Sequence, residues 1–596
     1  MQFLDFETHG IQPKPKYPPA PIGLAILDRE GARYLAFGHT RGDNNSSQEE
    51  VRQYLSSVVP RGQTCWHNAK FDLCVAEQKL SVPWPDKWHD TLVMAFLCYP
   101  HDKSLSLKEL AANRLGLPPE ERDELKEWIL TNIPEAKAST YMEFLAHAPV
   151  DLVGKYAIGD VIRTKALYDH CSEILSSHGM WDAYWRKCRT TRVADKMERR
   201  GMCIDTPALE EEVPKLEASL AKVDDLIRVK LNAPNLVVDE KGSLADALEA
   251  SEFCTELPKT KTGKRSTSYK NIEDAILDTE LYHMLIVRGK IANCLRTFAR
   301  PWLAQALENK GKFYITWESI RGQDRGGART GRWTSSPNLQ NAIKKRKSSV
   351  YPELYDLVPN MRNFLIADEG KVLIGRDYSQ QELRILAHFE EGALMAQYLA
   401  DPNLDVHNFT QDMIQKVSGK RYERDQVKTI NFGRLYGMGA AKLSRQLRIP
   451  LSAAKALIAA HKQALLDVTD LDDDLKDIGR RGDYIKTLGG RCYYVEPPYY
   501  DPIGREMRTN EYKLLNYLIQ GSAADMLDES VLAADDAGIE LLLLVHDEEI
   551  AQAPTDNAEA QMLQLKNCMN SVKLDVPLFS DGGTAKSWGQ LVKTRD

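Results

Sequence analysis

The stretch ERDQVKTINFGRLYG, residues 423–437, sets Arg424, Lys428, Phe432 and Tyr436 four residues apart. Side chains at that spacing share one face of an α-helix. The face carries two cations at its first end and two aromatic rings at its second. A helix built only for packing has no need of arginine and lysine in line with its aromatics. A face that grips a triphosphate with its cations and lays a ring against a base does. The plainer alternative is an amphipathic helix whose cations are merely solvated.

Two acidic segments flank the stripe in sequence. In KVLIGRDYSQQELRILAHF, residues 371–389, the apolar run 372–374 predicts a buried strand that ends on Asp377, and a helical pattern begins near Glu382. In IELLLLVHDEEIAQA, residues 539–553, the run 541–545 predicts a second strand, with His546, Asp547 and Glu548 where it turns back. Carboxylates gathered after buried strands repel one another unless cations neutralise them. Two strands that each present one can hold two divalent ions about 3.5–4 Å apart, the clamp used in phosphoryl transfer. Alone, Asp547 and Glu548 read better as a solvated hairpin tip. Asp377 and the cationic helix in the same chain favour the metal reading.

The amino terminus carries a second constellation. QFLDFETHG puts Asp5 and Glu7 two apart on a strand, so both carboxylates face one way. TCWHNAKFD adds Asp72, and HDTLVMAFL carries Asp90. In VGKYAIGD, Tyr156 and Asp160 stand four apart on one helical face. Oxygen ligands from Asp5, Glu7, Asp72 and Asp160 suit hard cations such as Mg2+ or Mn2+. Tyr156 is placed to orient a water against a phosphodiester. Ordinary surface acids are the alternative.

The segments 377–384 (DYSQQELR), 424–437 (R-x3-K-x3-F-G-x2-Y-G) and 545–548 (VHDE) resemble motifs A, B and C of the family A, or DNA polymerase I-like, DNA polymerases. TGRWTSSPNLQN (330–341), TLGGR (487–491), QGSAAD (520–525), KTKTGKRSTS (259–268) and KSWG (586–589) resemble further segments of that family, in family order over roughly residues 190–596. The amino-terminal set resembles a 3′→5′ proofreading exonuclease with a tyrosine in its third motif. The resemblance implies a multidomain α/β and α+β protein, with a ribonuclease H-like exonuclease domain (1–185) followed by a right-hand polymerase. Its parts are a thumb (186–312), a first part of the palm (313–385), fingers (386–486) and a second part of the palm (487–596). It implies two Mg2+ or Mn2+ ions per active site, with Asp377, Tyr378 and Asp547 as metal contacts and Glu548 as an auxiliary acid. Nucleotide contacts are implied for Arg424, Lys428, Phe432, Tyr436, Glu382 and Gln380. DNA contacts are implied for Arg332, Asn338, Gln340, Asn516, Gln520, His546 and Arg491. Primer-template DNA, dNTPs and replication accessory proteins such as a helicase and a single-strand-binding protein are the implied partners, and a monomer is expected. The chain has no room before Asp5 for a 5′-nuclease domain, which resembles phage replicative members.

Composition is compatible with this. The chain has 596 residues, 43% hydrophobic and 27% charged, and its length suggests about four domains. No run of about 18 apolar residues predicts a membrane span. MQFLDFET enters a strand at once, so no signal peptide is read, and the ten cysteines show no C-x-x-C pair. A cytoplasmic location is expected. The net charge of −7 conceals basic stretches. Arg321, Arg325, Arg329, Arg332, Lys344, Lys345, Arg346 and Lys347 face one acid, Asp324, and Lys259, Lys261, Lys264 and Arg265 form a second basic loop. Both can track a phosphate backbone.

Three residues depart from the family pattern: Gln381, Arg434 and Tyr512. None removes a metal ligand, so the expectation falls on nucleotide selectivity and template grip. A non-catalytic replication factor and an exonuclease without polymerase activity are the rivals. Both predict missing carboxylates or a missing Lys428, and all are present.

Overall fold

The computed structural model describes residues 1–260, 262–321, 326–345, 348–501 and 505–595. Lys261, Asp324, Arg325, Arg346 and Lys347, from the two basic stretches, lie outside the described residues.

Strand β1 (Gln2–Thr8) opens the chain. With β2 (Pro21–Asp28), β3 (Gly31–Ala36), β4 (Thr64–Trp66) and β5 (His89–Asp90) it forms a sheet in the order β3-β2-β1-β4-β5. β1 runs antiparallel to β2 and parallel to β4. Its alternation divides two cores. Leu4 and Phe6 join one, and Phe6 stacks on Trp66. Phe3 joins the other, together with Val153, Ala157 and Val161 of helix α1 (Val150–His178). Asp5 and Glu7 share the face of Phe3, so β1 directs them toward α1. Asp90 is a structural acid: it caps the helix Thr91–Cys98 and also accepts hydrogen bonds from the backbone of Asn68 and Ala69.

Helix α2 (Trp181–Arg200) carries the chain onward. Tyr184 and Cys188 pack into the amino-terminal core, while Val193, Ala194 and Met197 pack into the larger one. The domain boundary expected at residue 185 therefore falls inside a helix that both units share. No breaker interrupts residues 181–200, so nothing stops the helix at the boundary.

Lys187 on α2 is fully buried and forms an ion pair with the equally buried Asp528 at 2.6 Å. Its ammonium also donates to the carbonyls of Ser319 and Gly331, and Trp333 Nε1 donates to Asp528. Burial lowers the Lys187 pKa to about 8, against the pull of Asp528. Truncating one member strands a charge in the core, which costs about 3–5 kcal/mol. Lys187→Met is expected to lower the melting temperature by several degrees, and adding Asp528→Asn should recover part of the loss. A Lys187→Met melt that matches the parent would show that the pair contributes nothing.

The second sheet contains β6 (Lys371–Tyr378), β7 (Glu540–Val545), β8 (Glu548–Pro554) and β9 (Ser580–Ala585), in the order β7-β8-β6-β9, antiparallel throughout. Leu373, Ile374, Leu541, Leu543 and Leu544 fill its core, as the two apolar runs predicted. Four helices serve this region: α3 (Gln381–Glu390), α4 (Arg424–Leu435), α5 (Leu514–Asp536) and α6 (Ala558–Asn570). α5 packs on α3 and α6, and α6 lies on β6 and β9. The expected boundary at 385 falls inside α3, and that at 486 falls between the paired strands Ile485–Lys486 and Cys492–Tyr493. Among the described residues, no helix is long and apolar enough to cross a membrane.

Candidate active sites

β6 is paired on both edges, which sets Asp377 opposite Glu548 of β8 and Asp581 of β9. β7 and β8 meet through a two-residue turn, His546 and Asp547, in which His546 adopts φ +63°. Short hairpin turns require that left-handed backbone. The Tyr378 amide donates to the Asp547 carbonyl at 3.1 Å and pins the turn to β6. The Asp547 carboxyl is pushed up to about 8 by burial first and by Asp377 second. Asp377 Oδ1 is buried and has no hydrogen-bond partner among the described residues. Crowded carboxylates with an unsatisfied buried oxygen form the donor set that a hard divalent cation fits.

Tyr378 offers this site only its main chain. Its ring is buried on the other side of β6 and its hydroxyl donates to the Met569 carbonyl, because successive residues of a strand point to opposite faces. Glu548 is buried and accepts from Trp588 Nε1 at 3.2 Å. Lys593 bridges the two strands, 3.1 Å from Asp377 and 2.7 Å from Glu548. Sequence reasoning missed this lysine, and no spacing rule connects it to motifs A and C.

The neighbouring Glu549 points into the core. Neither of its oxygens has a hydrogen-bond partner among the described residues. Ser530 is near enough to favour the charged form slightly, yet its hydroxyl makes no bond of proper geometry. Burial raises the Glu549 pKa from 4.5 to about 8. A folded-state pKa raised in this way makes the group cost stability as pH rises from about 4.5 to about 8. Glu549→Met is expected to raise the melting temperature at pH 8, by an effect on the order of a few kcal/mol, and to change little at pH 4.5. Equal shifts at both pH values would contradict this.

α4 carries the stripe as its spacing predicted. Arg424 and Lys428 are exposed, Phe432 is half-buried, and Tyr436 is exposed just past the helix end. Arg424 pairs with Asp405 at 2.7 Å, and Phe432 lies 5.6 Å from the His407 ring. The adjoining face is anchored by buried Asn431, which bonds His407, Thr410 and His461. Tyr436 donates to Glu382 at 2.8 Å, and Arg332 pairs with the other oxygen of the same carboxylate. Gln520 adjoins the Tyr436 hydroxyl. His546 sits between Arg332, Asp377 and Glu382, its pKa lowered mainly by burial. A run of bonded polar groups therefore leads from the end of α4 through Glu382 to Arg332, and the charges of Arg332, Glu382 and Asp377 all act on His546 of the β7–β8 turn.

Several expected contacts lie elsewhere. Arg491 is buried: it pairs with Asp525 at 2.6 Å and donates to the Thr330 and Gly521 carbonyls and to Tyr493. With its donors committed to the protein, it braces the loop that carries Arg332 and does not reach a surface where DNA could lie. Gln340 spends its amide on the carbonyls of Trp333 and Leu544. Gln380 bonds the Leu404 carbonyl and Tyr398, away from Tyr436. Asn338 is exposed, and Asn516 lies one helical turn before Gln520 on α5. Arg321 is buried and donates to the Lys103 carbonyl, while Arg265 is drawn to Asp246 and Glu249. Gln381 is buried against the Ala523 carbonyl and Arg434 pairs with Asp472. Tyr512 is exposed and packs on Gly437.

At the amino terminus, β1 and α1 bring Asp5, Glu7 and Asp160 together, with one oxygen of each within 4.8 Å of the others. Asp72 is buried and accepts from the Phe6 amide at 2.9 Å, between the two acids of β1. Burial, then Asp160, pushes Asp5 up to about 8. Burial, then Asp5, raises Glu7 and Asp72 well above the carboxylate range. Four acids gathered this closely form an oxygen-only donor set that fits hard cations. Asp5, Glu7 and Asp160 line a cleft of about 470 Å³ with Tyr156. Lys108, another residue missed from sequence, enters the cleft from the short helix Leu107–Leu110.

The sequence model described as DNA polymerase family A matches residues 206–590. DNA polymerase I, thermostable, of Thermus thermophilus is 30% identical over 408 residues, which cover 67% of this chain and 47% of that protein. DNA polymerase I of Deinococcus radiodurans is 31% identical over 407 residues, 66% of this chain and 41% of its own length. DNA polymerase I of Chloroflexus aurantiacus is 26% identical over 597 residues, 96% and 59% of the two chains. The chain spans about half the length of the curated relatives it matches. The solved POL domain of Pol1 from M. smegmatis, in complex with DNA primer-template and dNTP, has the same fold at a TM-score of 0.75 and 22% identity, covering 96% of this chain and 93% of that one.

Proposed function

The chain belongs to DNA polymerase family A, and from that premise we propose that it is a template-directed DNA polymerase with a second, 3′→5′ exonucleolytic proofreading site. The observation that carries the polymerase reading is the run from Tyr436 through Glu382, Arg332 and His546 to Asp377 and Asp547. It joins a polyphosphate-binding helix to a paired-carboxylate centre. The exonuclease reading is supported by the acids of β1 and α1 gathered beside Tyr156 in a separate cleft, on a mixed five-stranded sheet of the kind a ribonuclease H-like domain has.

Mg2+ or Mn2+, two ions per site, fits Asp377 and Asp547 in one centre and Asp5, Glu7, Asp72 and Asp160 in the other, and when bound would neutralise charge and make a hydroxyl or water a better nucleophile. The residues of the chain do the rest. Arg424 and Lys428 bind the β and γ phosphates of the incoming dNTP. Phe432 packs against its sugar and Tyr436 stacks at the template base. Glu382, fixed by Tyr436 and Arg332, closes the space a ribose 2′-hydroxyl would need. Arg332 and Gln520 face the minor-groove edge of the new pair, where acceptor positions are alike for all base pairs. His546 meets the primer terminus. In the second cleft, Tyr156 orients the attacking water.

The substrates are primer-template DNA and dNTPs, and a helicase and a single-strand-binding protein are the expected accessory partners. The phage source expected from sequence has no counterpart among the relatives named above, which are bacterial. Extension of a labelled primer on a template, with dNTPs and Mg2+, tests the first activity; shortening of the same primer without dNTPs tests the second. A chain that does neither has another function.

A further inference from the structure

Lys108 lies in the amino-terminal cleft and has no role in this reading. Its ammonium donates to the Tyr156 hydroxyl at 2.8 Å and to Asp160 Oδ2 at 2.5 Å. Its Nζ lies 4.4 Å from the centre of the Tyr156 ring. Its side chain is 19% exposed. Leu107 and Leu110, on the same short helix, are buried and anchor the segment. A solvated cation that happened to meet a carboxylate would be more exposed and would not be stacked on the tyrosine. Nor does Asp160 depend on Lys108 for a counter-charge, because Arg163 lies 3.5 Å from its other oxygen.

The geometry at the phenol is directional. A tyrosine hydroxyl has one proton and two lone pairs. Lys108 occupies one lone pair, so the hydroxyl proton must point to a different acceptor. Asp5, Glu7 and Asp160 fill the same cleft. The ammonium therefore fixes the rotation of a group that would otherwise turn freely.

We propose that Lys108 is a positioning residue of the 3′→5′ exonuclease: it sets the direction of the Tyr156 hydroxyl, and through it the water that attacks the terminal phosphodiester. The inference rests on the exonuclease reading above. In the step concerned, the water oxygen bonds to the terminal phosphorus and the bond from that phosphorus to the 3′ oxygen of the preceding nucleotide breaks. The water loses a proton to solvent, the departing 3′ oxygen takes one from solvent, and a nucleoside 5′-monophosphate leaves.

The test is a double-mutant cycle on a single-stranded oligonucleotide with Mg2+, using the full chain, Lys108→Met, Lys108→Arg, Tyr156→Phe and the Lys108→Met/Tyr156→Phe pair. Primer extension by each preparation reports that it is folded. Loss of a charged hydrogen bond that acts in the reaction predicts a fall of about 10- to 100-fold in kcat for Lys108→Met, with KM moving less than about threefold. Lys108→Arg, which keeps the cation, should recover most of that. In the Tyr156→Phe background, where there is no hydroxyl to direct, Lys108→Met should cost less than about threefold more. Losses that multiply across the cycle, a change confined to KM, or no change at all would overturn the inference and leave the exonuclease reading standing. Absence of any Asp5-dependent degradation by the unsubstituted chain would remove that reading and the inference with it.

Discussion

Asp377→Ala is expected to lower primer extension by about three to five orders of magnitude and to leave 3′ shortening within about twofold. The size follows from the position of this carboxylate. Asp377 is the penultimate residue of β6, the one strand paired to both β8 and β9, so its backbone is held on two edges. Its Oδ1 is buried without a partner, and its charge is the second-largest cause of the raised Asp547 pKa. Two acids held this close against their repulsion form a binding site for cations, and removing one dismantles it. Folding should change little, since relief of the repulsion with Asp547 is set against loss of the Lys593 contact, and a nearly unchanged melting temperature would separate lost chemistry from lost structure. Asp377→Asn keeps the shape and removes the charge, so it should be nearly as inactive. Extension that survives in either variant would end the assignment of the polymerase site to β6 and the β7–β8 turn.

The parts of these sites that follow a short-range rule were legible in the sequence. The four-residue spacing from Arg424 to Tyr436 could only be one helical face, and Asp5 and Glu7, two apart on a strand, could only face together. The apolar runs before Asp377 and His546 predicted strands β6 and β7, because a short run of successive aliphatics suits a buried strand. What could not be read depends on contacts between segments far apart. Lys593 meets Asp377 across 216 residues and Lys108 meets Asp160 across 52, and no periodicity records such meetings. Arg491 failed for a related reason. An arginine in a glycine-rich loop reads as a solvent-facing cation, and its burial depends on Asp525, presented by α5 34 residues further along the chain. Gln380 and Gln340 look like ligand contacts in sequence because amides serve ligands and backbone carbonyls equally well. The boundaries expected at 185 and 385 fall inside the continuous helices α2 and α3, and a change of core partner along a helix leaves no mark on its hydrophobic pattern.

The two sites draw on separate sheets, so their losses should be separable, and Asp5→Ala tests this from the other side. It is expected to lower 3′ shortening by about three orders of magnitude or more, with extension changed less than about twofold. Asp5 shares its cluster with Glu7 and Asp160, and Asp72 is tied to the same strand through the Phe6 amide. Glu7 and Asp72 are raised in pKa partly by Asp5, so these acids act on one another and loss of this member weakens cation binding by the cluster. The β1 strand itself should persist, because Leu4 and Phe6 fill one core and Phe3 the other without help from Asp5. Extension should therefore continue and should leave more mismatched ends in place. A mismatched primer terminus gives the sharpest comparison: the unsubstituted chain should remove it before extending, whereas Asp5→Ala should stall on it or extend it uncorrected. Equal removal by both proteins would mean that the β1–α1 acids do not form a nuclease site, whatever the outcome at Asp377.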